Sequence, residues 1–516
     1  MLDFSRLSAP REHGGVLIEP GPEYWPAAAR ENGAALRSCS TLILDSTLAE
    51  WRRRSREKLA GGDDRVVVVT GHQPELVHPG VWAKNVVASR LAAALDGVAL
   101  NLVIDSDVLK QSTVAVPAIR GKEVSVRHVA IGAMSAGQVY EQVRAASRDE
   151  ALGFEQEIRD ALGDRFATSL MPAFFAALGR SNGPGKWVDQ MLAARSAVEA
   201  DLGVEIEDHR VSAAWCSPLA ADMILNAGRF AESYNRALAL YRRENKVRGE
   251  GRPIPNLAGD SHRCETPLWA YHPSRPRGRL FVARMDGVMR FFADDAELGT
   301  VPLDDIASCD RLGPALERLG GWGLRPRALA LTIWARLLVA DLFIHGIGGA
   351  KYDRIADTII HDYYGTDAPQ MVCASATLQF ARLPRAASGE SVGRLRQELR
   401  DLQYNPQRHV AREGGLRDLF DARARAVQAS EELRLTAPRG REARRRAFRD
   451  IRKATSQILA RCEDTVESMR EEVAAAIRSE RAARLARGRE YFFALYDRAD
   501  VEALLRALPQ ERSFRV

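Results

Sequence analysis

The strongest hydrophobic signal in the chain is an uninterrupted β-branched run, Arg65 to Thr70 (RVVVVT). A run without polar alternation predicts a parallel strand buried on both faces. A loop from Gly71 to Gly80 follows it. Apolar positions at Val81, Val87, Leu91 and Leu95 then predict a helix, and Val98 to Ile104 predicts a second strand that ends at Asp105. Strand, loop, helix and strand make a βαβ unit of roughly 40 residues. Its right-handed crossover puts the loop at the C-terminal edge of the sheet, where α/β proteins bind ligands.

Elsewhere the pattern is mostly helical. Glu50 to Leu59 reads as the solvated face of a basic amphipathic helix. Residues 150–250 read as helices, with Ser217 to Arg243 as the clearest stretch. Residues 251–300 turn to Gly, Pro and strand, as in Arg279 to Ala283. Residues 326–345 predict a buried helix that leads into His345 to Asp353 (HGIGGAKYD). A further strand, Gln370 to Ala374, ends in a Ser-Ala-Thr turn. From Ser388 strand signals vanish. Phe448, Ile451, Ile458, Cys462, Val466, Met469, Val473 and Ile477 then recur at spacings near three and four, one apolar stripe on a long helix. Thr436 to Gly440 separates it from an earlier helix, about Leu416 to Leu433, so a hairpin is expected. The fold expected is α/β, a Rossmann-like parallel-sheet core with helical insertions and a C-terminal α-helical coiled-coil hairpin. The first half of the core falls in residues 1–150 and a helical insertion with a short β and Pro-rich segment in 151–300. The second half of the core falls in 301–385, and the helical arm in 386–500.

Charge and composition narrow the function. Lys and Arg number 74 against 68 Asp and Glu, a net charge of +6, with 46% hydrophobic residues. That small excess suits an anionic small molecule. Neither an RNA-binding aromatic signature nor a zinc-finger spacing is present, and acidic residues interleave the arginines around Arg444 to Arg446, so nucleic acid is not the expected partner. The six cysteines (Cys39, Cys216, Cys264, Cys309, Cys373 and Cys462) form no CxxC pair and are expected to be free thiols. The most apolar segment, Ala328 to Ile344, is interrupted by Arg336 and Asp341 and is too short for a bilayer. Met1 to Pro10 lacks the apolar run of a signal peptide. A cytoplasmic location without membrane contact is therefore expected.

Four segments carry candidate chemistry. In Thr70 to Asn85, a loop leaves a central strand and opens a helix, a geometry that binds phosphate or carboxylate. Gly71, Gln73, Lys84 and Asn85 are candidate ligand contacts there, with His72 and His78 as candidate catalytic groups that donate to an anion or move a proton. A helix-capping role for the histidines is the alternative. The loop is neither a Walker A sequence nor GxGxxG. Asp105 and Asp107 end the second strand, where a carboxylate meets a hydroxyl or amine, or caps a turn. In His345 to Asp353, Gly346, Gly348 and Gly349 permit close backbone approach and Lys351 supplies a candidate catalytic charge. His345, Tyr352, Asp353 and the preceding Arg325 and Arg327 are candidate contacts. Asp353, Asp357 and His361 share one helix face, expected to be solvated rather than metal-binding, so no metal is assigned. Glu265, in a Pro-rich stretch, is either a contact for a substrate amine or part of a plain turn.

These segments resemble a known family. Thr70 to Lys84 is similar to that family's TGQQxGLxxGPxxxxxK segment, which also follows a first β-strand. Arg325 to Tyr352 resembles its RP and GGPGExxY segment, and Pro369 to Leu378 (PQMVCASATL) resembles the strand after it. A C-terminal coiled coil completes the order. The family is the bacillithiol-biosynthesis cysteine-adding enzyme, a ligase assigned to joining cysteine to glucosaminyl malate. The resemblance spans roughly residues 60–125 and 320–500 and rests on motif order. His72 stands where the family has Gln, and Lys351 replaces an acid. Residues 150–300 show no match, and no KMSKS-like loop is present.

The resemblance implies a Rossmann-type core like that of class I synthetases and nucleotidyltransferases. It also implies a carbon–nitrogen bond-forming ligase or transferase with a small-molecule substrate, and leaves ATP or ADP open as cofactor. A homodimer through the helical arm is the expected assembly. A non-catalytic nucleotide or sugar-nucleotide binder is the alternative.

Overall fold

The computed structural model describes residues 4, 6–120, 123–132, 134–180, 185–214, 218–249, 251, 253–380, 392–436 and 441–515. The chain divides into two compact units. One comprises residues 1–118, 126–379 and 488–516, and the other 119–125 and 380–487.

In the first unit the chain lays down β1 (Gly15–Glu19), β2 (Val67–His72), β3 (Val98–Val103) and β4 (Glu207–Arg210). It continues with β5 (Cys264–His272), β6 (Arg275–Met285), β7 (Val288–Ala293), β8 (Ala296–Pro302) and β9 (Gly323–Pro326). It closes with β10 (Leu342–His345) and β11 (Met371–Thr377). A six-stranded sheet has the order β1-β11-β10-β2-β3-β4. β11, β10, β2, β3 and β4 are parallel, and β1 runs antiparallel at the edge. A five-stranded antiparallel sheet has the order β8-β7-β6-β5-β9.

From β2 the chain moves outward to β3 and then β4. It returns on the other side of β2 to place β10 and then β11. The strand order thus reverses between β2 and β10, and open α/β sheets bind ligands at the C-terminal ends of strands beside such a reversal. The expected βαβ unit is present, with α1 at Leu48–Leu59 preceding it and α2 at Pro79–Ala94 as its crossover. β2 runs to His72, so Gly71 and His72 are ladder residues, paired in register with Leu102 and Val103.

One expectation fails in the second half of the core. The predicted helix over 326–345 ends early. Ala328–Trp334 is α-helix (α3), Ala335–Val339 is a π-helical turn, and Leu342–His345 is strand β10. Asp341 makes the break. Its amide donates to Val67 O at 2.8 Å, and its carboxylate accepts from Val67 N at 2.7 Å, from Arg52 at 2.7 Å and from Arg56 at 2.8 Å. Both arginines belong to α1 and are fully buried, so the helix read as a solvated face turns two of its arginines inward, while Arg53 and Arg54 remain exposed. A short apolar run reads alike as helix or buried strand, and tertiary partners decide between them.

Two shorter helices follow β10, α4 at Ile347–Tyr352 and α5 at Arg354–Tyr364. β11 extends through Thr377, so Ser375 is a strand residue rather than part of a turn. The described residues of 150–250 are mostly helical as expected, with the four polar residues of β4 among them.

The second unit is helical, with α6 (Val392–Tyr404), α7 (Arg417–Thr436), α8 (Arg441–Arg461) and α9 (Glu463–Ala486). The single long helix expected is two helices, broken at Cys462 (φ −119°, ψ 33°). Ile458, Cys462, Val466 and Val473 of the apolar stripe are buried within the chain, while Phe448 and Ile477 remain exposed. Arg423 of α7 donates to Thr455 Oγ1 of α8 at 3.0 Å, a side-chain tie across the hairpin. Residues 437–440 of the expected turn, and Cys216, lie outside the described residues. Cys39, Cys264, Cys373 and Cys462 are free thiols. Among the described residues no helix is long and apolar enough to cross a membrane.

Candidate functional site

The site is built where β2 and β10 end. The backbone turns out of β2 at His72 and enters α2 through His78, whose extended backbone (φ −76°, ψ 163°) makes it the N-cap. Its Nδ1 accepts from Gly80 N at 3.0 Å, a histidine doing what Ser or Asp usually does at this position. Pro79 fills the first helical position, where a missing N–H costs nothing. This winding carries Lys84 back across the sheet edge. Its Nζ donates to Gly71 O at 2.7 Å, and its Cδ lies 3.9 Å from where a Cβ on Gly346 would stand. One lysine therefore spans the strand-order reversal, from the end of β2 to the start of the segment after β10.

The ammonium of Lys84 is buried and has no carboxylate within 4.0 Å among the described residues. Burial lowers its pKa to about 8. Lys84 and Lys351 both act on the thiol of Cys373 in β11, although burial still pushes that thiol up to about 12. The two predicted segments thus converge on one edge of the sheet. Burial thus disfavours the thiolate of Cys373, the form a nucleophile needs. His72 is half-buried, and burial and Lys84 hold it down to about 3. His78 is held down to about 4 by burial, Arg489 and Lys84. Both imidazoles are neutral at pH 7, so each offers a hydrogen bond rather than a charge.

Several predicted contacts are engaged elsewhere. Asn85 donates to buried Glu199 at 2.9 Å. Asp105 is fully buried, accepting from Arg210 Nε at 2.8 Å and from Ser212 N at 2.9 Å. Gln73 Nε2 donates to Asp107 at 3.0 Å, and Asp107 also pairs with Arg277 at 2.8 Å. Arg325 is forked onto Glu141 at 2.9 and 2.8 Å, and Arg327 pairs with Glu265 at 2.5 Å. These pairings correct the expectation that Asn85, Asp105 and Arg325 lie open to a ligand.

The glycine segment is also corrected. Gly346 caps α4, and Gly348 and Gly349 lie within that helix instead of an open loop. Gly349 is required for packing, since a Cβ would stand 2.7 Å from His345 Nδ1. His345 Nε2 contacts Asp353 at 3.0 Å, and Asp353 and Asp357 pair with buried Arg336 at 2.7 and 2.6 Å. Asp353 is held at very low pKa by Arg336 and His345 against the opposing effect of burial. Of the helix face expected to be solvated, Asp353 and Asp357 are instead drawn into an internal ion network, while His361 remains exposed. Tyr352 is exposed and meets Tyr241 edge-on. Lys351 is half-buried, with no carboxylate partner among the described residues. No cluster of three or more potential metal ligands occurs among the described residues.

A residue that sequence patterning missed completes the edge. Arg489 Nη2 donates to Ser375 Oγ at 3.2 Å and would lie 2.6 Å from a Cβ on Gly80. It follows a long Arg-rich helix, so nothing in the local sequence separates it from the surface arginines before it. Cavities of 1300, 1210 and 730 Å³ in the first unit are lined by other residues. The cations gather at the sheet edge itself.

No family model matches the chain, and no curated protein matches it.

Proposed function

We propose that the chain is a ligase-like or transferase-like enzyme acting on a small anionic metabolite at the edge between β2 and β10. The observation that carries this reading is Lys84, an ammonium sunk in protein, held by one carbonyl and facing no carboxylate. A buried charge without a counter-ion is costly, and an anionic ligand supplies the counter-ion. Lys351 and Arg489 add charge to the same edge. In the reaction, Lys84 stabilises negative charge that develops on an acyl or phosphoryl oxygen. Neutral His72 orients the substrate by hydrogen bonding. The resemblance to the bacillithiol-biosynthesis cysteine-adding enzymes favours cysteine or a related amine as nucleophile and a nucleotide as activator.

The test is a thermal shift of the full chain with ATP, ADP, malate and cysteine, followed by a turnover assay with any pair that stabilises it. Stabilisation by an anionic ligand, lost in Lys84→Gln, is expected. No shift with any of the anions defeats the reading.

A second reading, a non-catalytic nucleotide or sugar-nucleotide binder, is favoured by a separate observation. His78 is spent as a cap, which removes one of the two histidines read as proton carriers. Binding without turnover would select it.

A further inference from the structure

We propose that Arg489 is the oxyanion-binding residue of this edge, and that with Ser375 and Lys84 it receives a carboxylate or phosphate group of the ligand. The proposal rests on the functional reading above and names the chemical class bound there.

Four observations carry it. First, among the described residues no carboxylate lies within 4.0 Å of the Arg489 guanidinium, and its contact is the hydroxyl of Ser375 at 3.2 Å. Second, its Nε is buried without a hydrogen-bond partner, although an arginine with a free fork normally turns it toward water or an acid. Third, the guanidinium lies against the second residue of α2. A Cβ on Gly80 would meet Nη2 at 2.6 Å and Ala376 O at 2.7 Å, so Gly80 is what admits the arginine. A cation at the positive end of a sixteen-residue helix is unfavourable in the absence of an anion. Fourth, Lys84 lies on the same helix, and the charges of Arg489 and Lys84 both bear on His78. Two cations from distant parts of the sequence thus share one neighbourhood, and although the charge of Glu490 bears on Arg489, neither cation has a carboxylate within 4.0 Å among the described residues.

The chemistry that relieves this arrangement is a planar or tetrahedral oxyanion. A guanidinium fork binds two oxygens of a carboxylate or phosphate at once. Ser375, which accepts from Arg489, keeps its own hydroxyl proton to donate to the same anion. Arg489 is therefore the specificity element, reading two-oxygen geometry, while Lys84 supplies charge.

Calorimetric titration of the full chain with inorganic phosphate and with malonate tests the assignment. Arg489→Gln is expected to weaken the tighter probe at least tenfold. Arg489→Lys should fall between that variant and the wild type, because it restores charge but not the fork. The Tm of Arg489→Gln without ligand is expected to hold or rise, which separates lost binding from lost folding. If Arg489→Gln does not fold, Ser375→Ala reads the same contact, and unchanged affinity there overturns the proposal. Unchanged affinity in Arg489→Gln with loss in Lys84→Gln overturns the role of Arg489 and leaves the wider reading standing. Absence of binding of either probe to the wild type removes both.

Discussion

Lys84 Nζ and Gly71 O, thirteen residues apart, meet at 2.7 Å across the end of β2. The contact locks the turn between strand and helix. It also stores an unfavourable charge in the protein. The folded pKa of Lys84, about 8, lies below its ordinary value of 10.5 because burial disfavours the ammonium. The penalty is therefore full below pH 8 and fades as pH rises towards 10.5, where the unfolded chain also loses the proton. The shift corresponds to about 3 kcal/mol at neutral pH. Lys84→Met is thus expected to raise Tm by about 2 °C or more while abolishing anion binding. A Tm that falls by several degrees would mean that the Gly71 contact outweighs the buried charge.

Ligand binding is expected to follow the same proton. Affinity for an anion at this edge should be level below pH 8 and decline above it as Lys84 deprotonates. A calorimetric series from pH 6.5 to 9.5 measures this, and a flat profile would exclude Lys84 as the charge that is sensed.

The neighbouring histidines act in the opposite pH range. His72 and His78 are held at about 3 and about 4, below the ordinary 6.5, first by burial and then by nearby cations. Unfolding lets both take up protons, so they exact no penalty above pH 6.5 and destabilise the fold progressively as pH falls towards 4. Urea midpoints between pH 7.5 and 4.5 should fall less steeply in His72→Asn and in His78→Asn. Asn keeps a cap at position 78. Slopes identical to wild type would contradict the buried, neutral state of both rings.

Asp341 carries the heaviest structural load. It is the carboxylate shared by Arg52 and Arg56, both without solvent exposure, and it also ties down Val67 N at the start of the central strand. Removing one partner from a buried ion cluster strands the other charges. Asp341→Asn is expected to cost about 3–5 kcal/mol, measured by urea denaturation. A loss below about 1 kcal/mol would show that water reaches the arginines.

The helical arm leaves Phe448 and Ile477 exposed after four other stripe residues are buried. Homodimerisation through these two side chains is expected. Light scattering should give twice the chain mass for the wild type and the monomer mass for Phe448→Ser with Ile477→Ser, at unchanged helix content. A monomeric wild type, or a variant that stays dimeric, rules this interface out.

Local pattern in the sequence determined the elements whose signal is self-contained. RVVVVT, β-branched throughout its apolar run, read as a doubly buried strand, and its crossover helix and parallel partner followed from spacing, which located Lys84 and Gly71 at a sheet edge. The sequence did not determine which polar groups were already engaged. Asn85, Asp105, Arg325, His345 and Asp353 read as free chemistry, yet each is matched to a partner that is often more than 100 residues away, such as Glu199, Arg210 or Glu141. The break at Asp341 was decided by arginines from α1, and Arg489 was brought to the edge from beyond the helical arm. The physical reason is that strand and helix periodicity are carried by neighbours in the chain, whereas the pairing of buried charges is set by which distant segments the fold brings together.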